Sequence, residues 1–203
     1  MIKKFAIFFI PNKSISTEIN KIKKKFDIAY KNLDYVKHFP HLTFFTFHAS
    51  DGFYEENFFC NLNNQFKSVI KKNINIKINK SNIFFNDALT NKDTLFFEII
   101  KNKELLDAQK KLLDFFKQII VIDKKINFNQ HTLNKNYLKY GYPYAGNIWL
   151  PHMTICSIKD SKNKLIVKKF LDNKIFYNTN LNNLSLWQIV SKNKHKKIFE
   201  TKL

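Results

Sequence analysis

Apolar positions along the chain fall into short blocks whose spacing alternates between strand-like and helical. Phe5 to Ile10 form a short apolar run ending at Pro11, and residues 3–10 read as a buried first strand. Ile15, Ile19, Ile22, Phe26 and Ala29 then recur at helical spacing, with lysines on the opposite face. Residues 41–47 are rich in strand formers. A second helix is expected to bury Phe58, Phe59, Leu62, Phe66, Val69 and Ile70, with Asp51 as its cap and Glu55 and Glu56 in its first turn. Alternation at Ile74, Ile76 and Ile78 predicts a strand running on toward Phe85.

A similar series then begins again. Residues 94–100 read as a strand, and Asn102 is placed to cap a helix carrying Leu105, Leu106, Leu112, Leu113, Phe115, Phe116 and Ile119. After an irregular stretch come a strand at 152–158, a lysine-rich helix near 161–172, and strands near 181–190 and 196–202. The order strand, helix, strand, helix, strand thus occurs twice. This repetition favours an α+β fold of two similar lobes within one domain, with approximate halves at 1–90 and 91–203.

Composition adds a partner class. All 35 basic residues are lysine, against 16 acids, for a net charge of +19 and a pI near 9.8. Such a field attracts polyanions: nucleic acid, nucleotides or acidic surfaces. Abundant Lys, Asn, Ile and Phe also fit an AT-rich coding bias, which accounts for part of the excess. Without arginine, a phosphate must be held by lysine ammonium groups, hydroxyls and backbone amides. Two cysteines, Cys60 and Cys156, with no Cys-x-x-Cys, argue against a disulfide framework or zinc cluster and fit a reducing cytoplasm. The opening apolar run is too short for a secretory leader, and no stretch approaches the ~20 apolar residues of a membrane span.

One short pattern is repeated at matching places in the two series. The first copy reads Phe39-Pro40-His41-Leu42-Thr43-Phe44, the second Leu150-Pro151-His152-Met153-Thr154-Ile155. A single His-x-Thr is uninformative, but two copies with matching flanks are a strong signal. On a strand, residues i and i+2 share a face, so each His and its Thr point one way while the apolar neighbours point toward the helices. A proline just before the histidine suits a strand entry, where no ladder donor is lost. Two imidazoles and two hydroxyls brought into one cleft suit phosphodiester chemistry. One imidazole accepts the proton of the attacking oxygen, the other protonates the leaving oxygen, and the hydroxyls donate to the non-bridging phosphate oxygens. The chain lacks an evident carboxylate cluster for Mg²⁺, and neither a metal nor another cofactor is expected.

These paired motifs, Pro40-His41-Leu42-Thr43 and Pro151-His152-Met153-Thr154, resemble those of the 2H phosphoesterase superfamily, which includes RNA 2′,3′-cyclic phosphodiesterases and 2′-5′ RNA ligase-like proteins. The resemblance spans nearly the whole chain through the order of elements. It implies two pseudo-symmetric lobes whose antiparallel sheets form a V-shaped cleft, with helices on the outer faces. It also implies metal-independent opening of a cyclic phosphate, or cleavage of a 2′-5′ or 3′-5′ phosphodiester, on an RNA end or small nucleotide. The catalytic roles carry over to His41, Thr43, His152 and Thr154, with His152 expected as base and His41 as acid. A monomer that does not engage membranes is expected. The absence of arginine departs from relatives that clamp phosphate near the second motif, and Lys159 falls on the wrong parity for the His152 face if that strand is regular.

The remaining candidates are assigned by position. Tyr142, Tyr144 and Trp149, in or beside a Gly/Pro-containing loop, are candidate base-stacking residues, and Phe45 is a candidate cleft wall on the His41 face. Packing on the surface or in the core is the alternative for each. His38-x-x-His41 lacks further ligands for a metal. By regular alternation His48 lies opposite His41, and Cys156 lies on the His152 face as a packing residue. His131 and His195 are expected in solvent, and the lysine runs 23–25 and 192–197 on solvated faces. A non-catalytic RNA or nucleotide binder using the same basic cleft is the alternative function, and a basic surface that coats RNA is a third.

Overall fold

The computed structural model describes residues 1–55, 57–87, 90–191 and 194–202. Strand β1 (Ile2–Phe9) turns Phe5, Ile7 and Phe9 into the core. Helix α1 (Lys13–Ala29) begins where the Asn12 side chain accepts a hydrogen bond from the Ile15 amide at 3.0 Å. After β2 (Leu42–Ser50), Asp51 does not cap the next helix. It forms an ion pair with Lys3 at 2.7 Å, while α2 (Phe58–Ile70) starts after Asn57; Glu56 lies outside the described residues. Strands β3 (Asn75–Asp87) and β4 (Lys92–Ile99) follow. Helix α3 (Lys103–Phe116) is capped as expected, with Asn102 accepting from the Leu105 amide at 2.8 Å.

Three elements go beyond the sequence pattern. Helix α4 (His131–Tyr140) buries only Tyr137 and Tyr140, so it leaves almost no apolar period. A 3-10 turn at Gly146–Ile148 leads into β5 (His152–Ile158). Strand β6 (Tyr177–Asn180) is short and polar, between α5 (Leu165–Asp172) and the closing pair β7 (Asn183–Ser191) and β8 (Lys194–Lys202). Helix α5 starts later than expected because Ser161 is buried and committed elsewhere: its hydroxyl donates to Asp93 at 2.6 Å and its amide at 3.2 Å. Among the described residues no helix is long and apolar enough to cross a membrane.

Two four-stranded antiparallel sheets result, in the orders β2-β1-β7-β8 and β5-β4-β3-β6. Each lobe borrows a strand from the other half of the chain: β3 pairs with β4, and β7 returns to pair with β1. A division near residue 90 therefore does not separate the sheets. The hairpin connection keeps β3 beside β4, and the first sheet is completed only by the C-terminal strands. One apolar core runs through both lobes, from Phe5 and Phe45 to Leu95 and Met153. Helices cover the outer faces, and the inner faces line the cleft. The motif strands β2 and β5 are edges of their own sheets, and these edges pack against each other.

Both motif strands contain the same irregularity. In β2, Phe45 pairs with Ile7 and Thr43 with Phe8, which leaves Phe44 as an extra residue. In β5, Cys156 pairs with Leu95 and Thr154 with Phe96, which leaves Ile155 extra. A bulge of this kind inverts alternation for everything after it. Phe45 therefore turns into the core instead of walling the cleft, and His48 turns back to the His41 face. Cys156 likewise leaves the His152 face for the core, Ser157 takes its place, and the parity argument against Lys159 no longer holds.

A loop covers the edge of β5, and helix α3 covers that of β2. Asp34 and Ser157 exchange backbone hydrogen bonds at 3.2 and 2.9 Å, and Lys92 secures that loop through Asp34 at 2.9 Å. On β2, the bulge carbonyl of Phe44 accepts from Gln109 Nε2 at 2.9 Å; Gln109 Oε1 in turn accepts from the Gly146 amide at 2.9 Å. Gln109 is fully buried. Replacing it with leucine strands both backbone groups, and we expect a loss of ~1–3 kcal/mol per unsatisfied group in chemical denaturation. An unchanged denaturation midpoint would show that the bulge needs no such support.

Candidate active site

Each histidine stands at the mouth of its strand, and each is fixed in the same way. His41 Nδ1 lies 2.8 Å from the carbonyl oxygen of Phe39, and His152 Nδ1 lies 2.8 Å from that of Leu150. A carbonyl only accepts, so Nδ1 carries the hydrogen in both rings and Nε2 is left to exchange a proton. The proline between each carbonyl and its histidine contributes no amide that would compete for the bond. Thr43 and Thr154 follow two residues later, before the bulge, and so stay on the histidine faces. All four side chains are half-buried.

Behind His41, the carbonyl frame is itself anchored. Lys23 of α1 is 3% exposed, unlike its neighbours in the 23–25 run, and its Nζ donates to the carbonyls of Tyr35 and His38, both at 2.9 Å. Burial pulls its pKa down to about 8. The site's second half has a hydroxyl relay. Thr94 Oγ1 donates to Asp87 at 2.6 Å, so Ser157 Oγ, 2.6 Å from Thr94 Oγ1, is the donor to it.

Aromatic rings hold both imidazoles. Phe8 lies 4.1 Å from His41 and Phe39 lies 5.0 Å away, centroid to centroid. On the other side, Phe96 and Phe84 pack on His152 at 5.1 and 5.3 Å. Phe8 and Phe96 occupy matching strands beside their motifs. The repeated strand order contained that signal, but sequence reasoning passed over it. Trp187 of β7 was also passed over; it lies 4.7 Å from Phe39. His195 is drawn out of solvent into this group, 4.6 Å from His38 and 6.5 Å from His41.

The expected stacking residues lie elsewhere. Trp149 is 2% exposed and packs on Phe44, on the helix side of β2. Tyr142 packs against the core beside Phe45, and burial raises the pKa of its hydroxyl. Tyr144 is exposed but belongs to the same loop, whose carbonyl at Tyr144 is held by Gln109. The bulge is again the reason: it turns Phe44 and Phe45 together away from the cleft, and this loop covers them. His131 is exposed at the start of α4.

Charge is unevenly divided. Burial lowers the pKa of His41, and Lys23, His38 and His195 push it the same way against the opposing Phe39 carbonyl. Burial also lowers the pKa of His152, but there the Leu150 carbonyl and the Asp87 carboxylate both oppose the shift. Among the described residues no group of three or more His, Cys, Asp or Glu side chains is arranged to hold a metal ion.

No protein-family model matches the sequence, and no curated protein matches it. Solved structures do match in three dimensions. TT0787 of Thermus thermophilus superposes with a TM-score of 0.60 at 10% identity, covering 98% of this chain and 97% of that one. Escherichia coli LigT in its apo form gives 0.51 at 6% identity, over 100% and 98% of the two chains. LigT complexed with NADP+ gives 0.50 at 9% identity, over 100% and 99%. The chain has this two-lobed LigT-like fold throughout its length, as its resemblance to the 2H phosphoesterases implied.

The lowered imidazole pKa values have a consequence for stability. The native chain resists protonation at His41 and His152, whereas the unfolded chain takes up protons below the ordinary value of ~6.5. More protons bound by the unfolded state means that stability falls as pH drops below ~6.5, down to the lowered native values. Thermal unfolding followed from about pH 7 to about pH 5 should show this fall. Double replacement of the two histidines by glutamine should flatten it. An unaltered slope in the double variant would mean that other groups set the acid sensitivity.

Proposed function

We propose that this protein is a 2H-type phosphodiesterase that hydrolyses a 2′,3′-cyclic phosphate, or a 2′-5′ or 3′-5′ phosphodiester, in an RNA end or a small nucleotide. The observation that carries this reading is the duplication of one proton-transfer unit on two touching edge strands. Each unit is a half-buried imidazole tied through Nδ1 to the carbonyl two residues earlier, with a threonine hydroxyl beside it. The LigT-like fold supports a phosphoester-processing activity in general terms.

In the reaction, a water oxygen attacks phosphorus while one Nε2 takes its proton. The bond from phosphorus to the ribose oxygen breaks as the other Nε2 delivers a proton to that oxygen. The protons balance: the base ends protonated and the acid deprotonated, and proton exchange with solvent resets both before the next turnover. Thr43 and Thr154 donate to the non-bridging oxygens, where negative charge builds. Nearby cations favour the neutral form of His41, and Asp87 favours the protonated form of His152. This distribution supports His41 as base and His152 as acid, the reverse of the assignment expected from the sequence.

The test is hydrolysis of nucleoside 2′,3′-cyclic phosphates in EDTA. Wild type should turn over, and His41→Ala and His152→Ala should each lose at least ~10²-fold in kcat. Thr43→Val and Thr154→Val should each cost ~10²-fold, the scale of one lost donor to a developing oxyanion. Turnover that survives either histidine replacement would sink the two-imidazole mechanism. Tight nucleotide binding with no hydrolysis of cyclic, 2′-5′ or 3′-5′ substrates would favour the non-catalytic binder instead.

A further inference from the structure

The inner face of the first sheet can be read row by row across its four strands. Backbone partners across strands present their side chains on the same face. Nearest His41 the row runs Thr43, Phe8, Ser185 and Glu200. The next row is Thr46, Ala6, Trp187 and Lys197. The outermost is His48, Lys4, Ile189 and His195. Trp187 and Lys197 therefore lie in the row between Thr43 and the row of Lys4 and two histidines, from which the His195 ring reaches back to 5.9 Å from Phe8.

In that outer row Lys4 faces His48 directly, with Ile189 between it and His195. Burial, and after it Lys4, lowers the pKa of both His48 and His195, and burial lowers that of Lys4. Among the described residues Lys4 makes no ion pair. The nearby carboxylates are Asp123, which acts on His48, and Glu200, which is shared between Lys197 and Lys202. His38 and Lys23 add further positive character from the loop and α1. Cationic groups gathered in a concave surface are stabilised when an anion enters.

Trp187 has the geometry of a stacking platform. Its indole Nε1 donates to Ser185 Oγ at 2.8 Å, which fixes the ring plane. Phe39 buttresses it, and Lys197 Nζ sits over the ring at 5.7 Å. On the second sheet Glu98 stands opposite His152, with Lys80 beyond it, and the Asp87 carboxylate lies farther along the same face.

We propose that the first sheet carries a second nucleotide subsite, with the neighbouring phosphate on Lys4 and His195 and its base on Trp187, so that the substrate is an RNA end of at least two nucleotides. The proposal rests on the phosphodiesterase reading above for the position of the reacting phosphate, and it gives the substrate a direction. The strand runs out over the cationic first sheet, away from the carboxylates of the second.

The experiment compares a nucleoside 2′,3′-cyclic phosphate with a dinucleotide ending in the same cyclic phosphate. At low salt the dinucleotide should show a kcat/KM about tenfold or more higher, the scale of one stacked base and one added phosphate contact. Raising salt should narrow that ratio. Lys4→Met, His195→Gln and Trp187→Leu should each bring it toward one, with melting curves confirming that the variants fold. A parallel arm uses the His41→Ala protein and measures by calorimetry the affinity for a mononucleoside 3′-phosphate and for a dinucleotide 3′-phosphate. Equal kcat/KM for the two substrates, or a preference that survives all three substitutions, overturns the subsite. If neither substrate turns over, the phosphodiesterase reading fails; the affinity ratio in the calorimetric arm then decides the subsite independently, and equal affinities overturn it.

Discussion

A strand can place only alternate residues on one face, so a single extra residue reverses the destination of every side chain that follows it. Much of the site's composition depends on that constraint. Each motif strand keeps strict alternation through His-x-Thr and then takes up one bulge residue, Phe44 in β2 and Ile155 in β5. The histidine and threonine remain on the cleft side. The aromatic and aliphatic residues after them turn inward, where Phe45 and Cys156 join the core. The bulge also returns His48 and Ser157 to the cleft face. Two strands with the same bulge at the same step give the two motifs the same local geometry.

The lobes are not separate copies placed side by side. The first sheet takes β7 and β8, and the second takes β3, from the other half of the chain, and a common core runs beneath both. This interlocking fixes the meeting of β2 and β5, two edges whose free backbone groups would otherwise invite pairing with other chains. They are covered instead by a loop, through Asp34 on Ser157, and by helix α3, through Gln109 on the Phe44 carbonyl. That loop also ends at Phe39, whose carbonyl orients His41. Edge protection and active-site alignment are thus carried by one segment, tied down from within by buried Lys23.

The two halves differ in charge where they agree in geometry. His41 lies among Lys23, His38 and His195, whereas His152 faces the influence of Asp87. Identical hydrogen bonds to backbone carbonyls give the rings the same tautomer, and the surrounding charges then separate their proton affinities. A chain without arginine builds this difference from lysine, histidine and one aspartate. Because these are point charges or titrating rings, the arrangement relies on where the backbone places them, not on bidentate forks.

The sequence by itself determined most of the elements and singled out the two His-x-Thr pairs. Apolar periodicity marked most strands and helices, Asn102 announced its helix, and the doubled Pro-His-x-Thr pattern picked out the paired imidazoles and hydroxyls and the two-lobed α+β architecture. These are local or repeated signals, and each can be read within a few residues. Tertiary structure decided which side chains share the cleft. Parity beyond each threonine was inverted by bulges that alternation cannot reveal, because an extra residue alters pairing with a distant strand and not the chain's own pattern. Trp149 and Tyr142 became packing residues through contact with that inverted segment, and Ser161 gave up a helical turn for a distant aspartate. Trp187, His195 and Lys4 met only because β7 and β8 return across the chain to β1. Their proximity is a property of strand pairing, which no local stretch of sequence encodes.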